Sequence, residues 1–148
     1  MRLAAPDDQD AVTALTTAAY ASYTALFASP PRPVTENYAP RIAAGEVWLL
    51  EDPNGLAGLI VLERHADHAM IYSVAVAPDR QGNRLGSRLL SFAEDKTREW
   101  DLSELRLYTN AWMEKNIAIY TAKGYRETGR RTHPDRPGFT IVDMAKTL

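Results

Sequence analysis

The densest chemistry in this sequence lies in Val74-Ala75-Val76-Ala77-Pro78-Asp79-Arg80-Gln81-Gly82-Asn83-Arg84-Leu85-Gly86-Ser87, where an apolar run passes through a polar, glycine-containing stretch directly into helical spacing. A strand-to-helix junction of this kind binds anions. Free amide hydrogens at the helix start converge on one point, the helix dipole is positive there, and glycine lets the backbone approach a phosphate closely. A pyrophosphate fits such a cradle. The stretch is not a Walker loop, because no Gly-Lys-Ser/Thr follows, and it is not the G-x-G-x-x-G dinucleotide fingerprint. Glycine spacing alone leaves a ligand-free tight turn as an equal alternative.

A second constellation, Met113-Glu114-Lys115-Asn116-Ile117-Ala118-Ile119-Tyr120-Thr121-Ala122-Lys123-Gly124-Tyr125, decides between the two. Together the segments resemble the GNAT superfamily of N-acetyltransferases. That family's cofactor loop reads [RQ]-x-x-G-x-[GA] after a strand ending V-x-P; here Gln81-Gly82-Asn83-Arg84-Leu85-Gly86 follows Val76-Ala77-Pro78. Its later helix often reads N-x-x-A-x-x-x-Y-x-x-x-G-[FY], matched by Tyr120, Gly124 and Tyr125. Three positions depart from the pattern. Arg84 replaces the middle glycine, so a requirement for positive φ is expected to be relaxed there; its guanidinium either faces a phosphate or is solvated in the first helical turn. Met113 stands at the usual Asn position and Asn116 at the usual Ala position.

The resemblance implies an acyl-CoA-dependent N-acetyltransferase, moving an acetyl group from acetyl-CoA to a primary amine of a small molecule or a peptide by direct attack in a ternary complex. The coenzyme would be held by backbone groups of Val74, Ala75 and Val76, by Gln81, Gly82, Asn83, Arg84, Leu85, Gly86 and Ser87, and by Asn110 and Asn116. Tyr120 would be the general acid that protonates the departing thiolate. Many relatives carry an acidic residue on the strand before the loop, but here the neighbourhood reads Ile71-Tyr72-Ser73. Glu63, Glu36, Tyr72 or a water chain remain as general base. Tyr20, Tyr23, the Pro30 to Pro33 connector and Tyr38 come from the region that lines the acceptor pocket in this family; Tyr20 and Tyr23 read equally as half-buried helix residues. His65 and His68 have no third ligand near them in sequence, and no metal is expected. The missing base keeps a second function class open: a module that binds acyl-CoA without turnover, as a sensor or docking domain.

The elements that must position these residues follow from periodicity. Asp7 and Asp8 after Pro6 suit a helix start, and Val12, Leu15, Ala19, Ser22 and Leu26 form one stripe of a long helix. The prolines of Ser29 to Pro33 end it and read as a stiff connector. Thr35 is placed to cap a short helix carrying Tyr38 and Ile42, with Gly45 closing it in a left-handed conformation. Val47 to Glu51, Leu56 to Glu63 and Met70 to Ala77 read as an antiparallel meander. Leu85 to Trp100 is helical, Leu105 to Thr109 a strand, Glu114 to Lys123 a helix, and Tyr125 to Arg130 and Phe139 to Met144 two more strands. The expected fold is α/β: a mixed, mostly antiparallel sheet flanked by helices and splayed at the cofactor cleft, formed by residues 1–148 as one domain.

Composition bounds the rest. The chain has 148 residues, 45% of them hydrophobic, enough for a sizeable core. Its 17 basic and 19 acidic side chains give a formal charge of -2, without the basic excess of nucleic-acid binders. There is no cysteine, hence no disulfide, thiol nucleophile or thiolate metal site. The N-terminus turns acidic within ten residues and no apolar run approaches a membrane span, so a soluble, cytoplasmic protein without nucleic-acid or membrane partners is expected.

Overall fold

In the computed structural model, which describes residues 1–148, seven strands form one sheet in the order β1-β2-β3-β4-β5-β7-β6. The strands are β1 (Arg2–Leu3), β2 (Val47–Asp52), β3 (Gly55–Arg64), β4 (Ala69–Val76), β5 (Glu104–Asn110), β6 (Arg126–Thr132) and β7 (Thr140–Thr147). The helices are α1 (Gln9–Ala19), α2 (Ala21–Phe27), α3 (Arg32–Thr35), α4 (Ala39–Ala43), α5 (Leu85–Glu99) and α6 (Glu114–Ala122). The sheet is mostly antiparallel, as expected; β4 and β5 run parallel, paired from Ala69–Leu105 to Ile71–Leu107. The chain forms two compact units, Met1–Glu63 with Tyr72–Ala93, and Arg64–Ile71 with Glu94–Leu148.

In the first unit the meander works because hydrophobic alternation and short turns agree. Strand β4 alternates buried and half-buried residues along its whole length, whereas β3 is buried continuously from Ala57 to Leu62. One face of these strands meets Val12 and Leu15 of α1, Tyr38 at the start of α4 and Ile42 within it. On the strand β2, Trp48 packs its ring 5.1 Å from that of Phe92 on α5. Gly58 makes this layer close: a Cβ there would sit 3.1 Å from the Ala75 carbonyl oxygen and 3.2 Å from Leu89 Cδ1.

Three local expectations change. The first helix is two helices, because the chain turns at Tyr20 (φ -96°, ψ 5°) between α1 and α2. No helix breaker stands there. Tyr20 instead packs on the core and brings its hydroxyl within 3.4 Å of Ser73 Oγ and of the Val74 carbonyl oxygen, so a tertiary contact accompanies the break. The phase shifts with it: Phe27 is buried, while Leu26 is 57% exposed and Ser22 is exposed. The proline connector contains one helical turn, α3, with Pro33 in its first turn, where a missing N–H forfeits no intrahelical bond. Thr35 ends that turn and does not cap α4; Asn37 Oδ1 accepts the Ala39 N–H at 3.2 Å instead. Gly45 does take the left-handed conformation, at φ +73°.

In the second unit β5, β7 and β6 bury Leu105, Leu107, Ile141, Val142, Met144 and Ala145. Strand β6 lies at the sheet edge, is exposed along almost all its length, and carries Arg126, Glu127, Arg130 and Arg131, which discourages pairing with another strand. Lys146 Nζ forms an ion pair with Glu94 Oε1 at 2.6 Å.

Candidate functional site

The loop between β4 and α5 is built by the first unit alone. After Val76 the Ala77 N–H returns to the Ala57 carbonyl at 2.8 Å, holding the end of β4 against β3. Pro78–Arg80 forms one 3-10 turn. Arg80 anchors it: the guanidinium donates to Asp52 at 3.0 and 3.1 Å and to Asp79 at 2.9 and 3.0 Å. These hydrogen bonds hold the Asp52 carboxyl below its ordinary value, with Arg80 the first cause.

From that anchor Gln81 to Arg84 are exposed, and the chain turns twice through positive φ, at Gly82 (φ +90°) and at Arg84 (φ +59°). The second value corrects the expectation that substitution of the middle glycine relaxes the backbone. The left-handed conformation is retained, and Arg84 bears its steric cost of about 1–2 kcal/mol. The Arg84 carbonyl accepts the Arg88 N–H at 3.1 Å and so opens α5, whose first turn contains no acidic residue. At Gly86 an added Cβ would meet no atom within 4 Å, so the protein's own packing does not demand glycine there. Open space above the free amides of a helix start is what an approaching phosphate requires.

The candidate bases also belong to the first unit, and the structure brings all three together around a residue the sequence reading passed over. Arg41 donates from Nε to Glu36 at 3.2 Å, and from Nη1 to Glu46 at 2.9 Å and Glu63 at 2.8 Å. Its guanidinium carbon lies 3.7 Å from the centroid of the Tyr72 ring. Burial works against the Arg41 charge, but Glu63 and Glu36 outweigh it and hold the pKa above the ordinary arginine value. Both candidate carboxylates are thus ion-paired with Arg41, each through its Oε2. Glutamates five residues before and after Arg41 were the available signal, yet no helical or strand spacing brings such pairs together.

Of the aromatic residues expected near an acceptor, Tyr38 is fully buried, with its hydroxyl donated to the Pro33 carbonyl at 2.5 Å; burial pushes its pKa up. It is a core residue, not a pocket wall. Tyr20 and Tyr23 are half-buried, and Tyr23 stacks on Phe27.

The second unit carries the later motif. Tyr120 is half-buried on α6 and meets Tyr125 edge to face, with centroids 5.8 Å apart. Gly124 reverses the chain at φ +94°, and the Tyr125 N–H returns to the Tyr120 carbonyl at 3.0 Å. Met113 is buried, its sulfur accepting the Thr109 hydroxyl at 3.2 Å and facing Asn116 Nδ2 at 3.8 Å. Asn110 uses its side-chain oxygen locally, accepting the Trp112 N–H at 2.9 Å. Trp112, 51% exposed and edge-on to Phe139 at 4.9 Å, went unnoticed in the sequence because it fits no motif. His65 and His68 stack in the hairpin between β3 and β4, with His68 Nδ1 2.6 Å from Asp67 Oδ1, and no group of three potential ligands forms a metal site.

Comparison with known proteins agrees with this layout. Residues 12–125 match the model of the acetyltransferase (GNAT) family. The chain is 33% identical over 114 residues to the mycothiol acetyltransferase of Sanguibacter keddieii, covering 67% of this chain. It spans only 36% of that relative's length and 60% of the second curated relative it matches. Among solved structures, the PaiA N-acetyltransferase of Thermoplasma acidophilum in complex with coenzyme A superposes with a TM-score of 0.79, at 18% identity, over 99% of this chain and 97% of that one. A GNAT family acetyltransferase from Elizabethkingia anophelis with acetyl-CoA bound gives 0.69, at 22% identity, over 79% and 85%.

Proposed function

Since the chain belongs to the GNAT acetyltransferase family, we propose that it transfers an acetyl group from acetyl-CoA to the primary amine of a small molecule or a peptide. The observation that carries this reading is the β4–α5 loop, with its two left-handed residues and the open position at Gly86. Its amides, from Gln81 to Ser87, hold the pyrophosphate in this reading. Backbone groups of Val74 to Val76 pair with the pantetheine amides as a neighbouring strand would.

The acceptor nitrogen attacks the thioester carbonyl carbon, forming the C–N bond and a tetrahedral oxyanion. Collapse breaks the C–S bond. Tyr120 donates its proton to the thiolate and regains one from solvent; a phenol with an ordinary pKa of about 10 is protonated at neutral pH. A backbone amide near Val76 receives the oxyanion. The proton lost by the amine leaves through water, because Glu36 and Glu63 are engaged by Arg41.

That engagement also favours a second reading, a module that binds acyl-CoA without turnover. Incubation with acetyl-CoA and a panel of amines and peptides, with free thiol as readout, separates the two. Acceptor-dependent thiol release is expected; coenzyme binding without release from any acceptor would favour the module.

A further inference from the structure

Two arginines at the start of α5 have no partner inside the protein. Arg84 and Arg88 are both exposed, stand one helical turn apart, and make no ion pair. The nearby acids do not serve them: Asp79 and Asp52 are both held by Arg80. The first turn of α5 contributes no carboxylate. Like charges at this spacing repel, and cations at a helix N-terminus oppose the dipole. Arg84 adds the strain of its left-handed backbone, a position where glycine would be free of strain. Three unfavourable features thus coincide on one pair of side chains, whereas Arg80, a few residues earlier, is fully paired.

A single diphosphate does not account for them. In the reading given above, on which this inference rests, the loop amides already meet the pyrophosphate. Coenzyme A carries a further phosphate monoester on its ribose, with a charge of about -1.5 to -2 and three acceptor oxygens. A guanidinium fork matches such a group bidentately, which a backbone amide does not. We propose that Arg84 and Arg88 form a separate subsite that reads the ribose 3′-phosphate, making the protein selective for coenzyme A over its 3′-dephospho form.

The test is parallel calorimetric titration of the full chain with coenzyme A and with 3′-dephospho-coenzyme A at low salt. The wild type should prefer coenzyme A by roughly tenfold or more, the size of one charge-assisted hydrogen bond. Arg88→Gln should reduce that preference and leave affinity for the dephospho form unchanged; Arg84→Gly, which keeps the backbone conformation without strain, should also reduce the preference. Arg88→Lys should retain part of it. Equal affinity of the wild type for the two ligands would overturn the subsite while leaving the cofactor reading standing. So would variants that lose affinity for both ligands alike. Binding of neither ligand by the wild type would remove the cofactor reading itself.

Discussion

Arg41 and Arg84 lie in the same compact unit and are treated oppositely by the fold. Around Arg41 the chain gathers three carboxylates and a tyrosine ring from the loops that flank α4 and from strands β3 and β4. At Arg84 it leaves a guanidinium exposed on a strained backbone beside a second one. Charge satisfied within the chain stabilises the chain. Charge left unsatisfied at a helix start lowers stability slightly and is worth keeping only where something else neutralises it. In the reading proposed above, the β4–α5 loop, rather than the Arg41 cluster, is the part of the first unit that faces a ligand.

The comparison breaks most visibly at Arg41. Arg41→Ala leaves Glu36, Glu46 and Glu63 crowded and half-buried without a cation, and should cost roughly 2–3 kcal/mol in urea unfolding, below the 3–5 of a fully buried pair. Adding Glu63→Gln to that variant should recover part of the loss; no recovery would mean that lost packing on Tyr72, not charge, carries the effect. Tyr120→Phe should lower turnover about 10- to 100-fold with coenzyme affinity unchanged, and an unaltered rate would remove Tyr120 from the mechanism. Arg84→Gly should raise stability by up to about 1 kcal/mol, the relief of the left-handed strain less the added flexibility of glycine, measured by thermal unfolding.

The smallest effect concerns Arg2, another satisfied cation. Its hydrogen bond is the first cause that lowers the Asp8 carboxyl from an ordinary 3.8 to about 2. A carboxyl depressed in the folded state stabilises fully above the unfolded value and loses that contribution as pH falls through the folded one. The difference between wild type and Asp8→Asn in thermal unfolding should therefore be constant above pH about 4.5 and vanish towards pH about 2.

Strands β2 to β5 and helices α5 and α6 were legible in the sequence to within about two residues, because alternation, turn residues and helical spacing point to the same elements there. The turn before α5 and the helix that carries Tyr120 were legible through the two motifs. What escaped depends on contacts distant in sequence. The break at Tyr20 accompanies its contact with β4, and Tyr38 is buried by strands that follow it. The Arg41 cluster joins residues from Glu36 to Tyr72. Arg84 misled for a different reason: its residue type argues against positive φ, but the loop geometry outweighs that preference.

The most direct test is an amide-resolved NMR titration of the intact protein with acetyl-CoA. The amides of Gln81 to Ser87 should shift and gain protection from hydrogen exchange, with further shifts along Val74 to Val76. Acetyl-CoA binding that leaves these amides unperturbed, or no binding at all, would contradict the account.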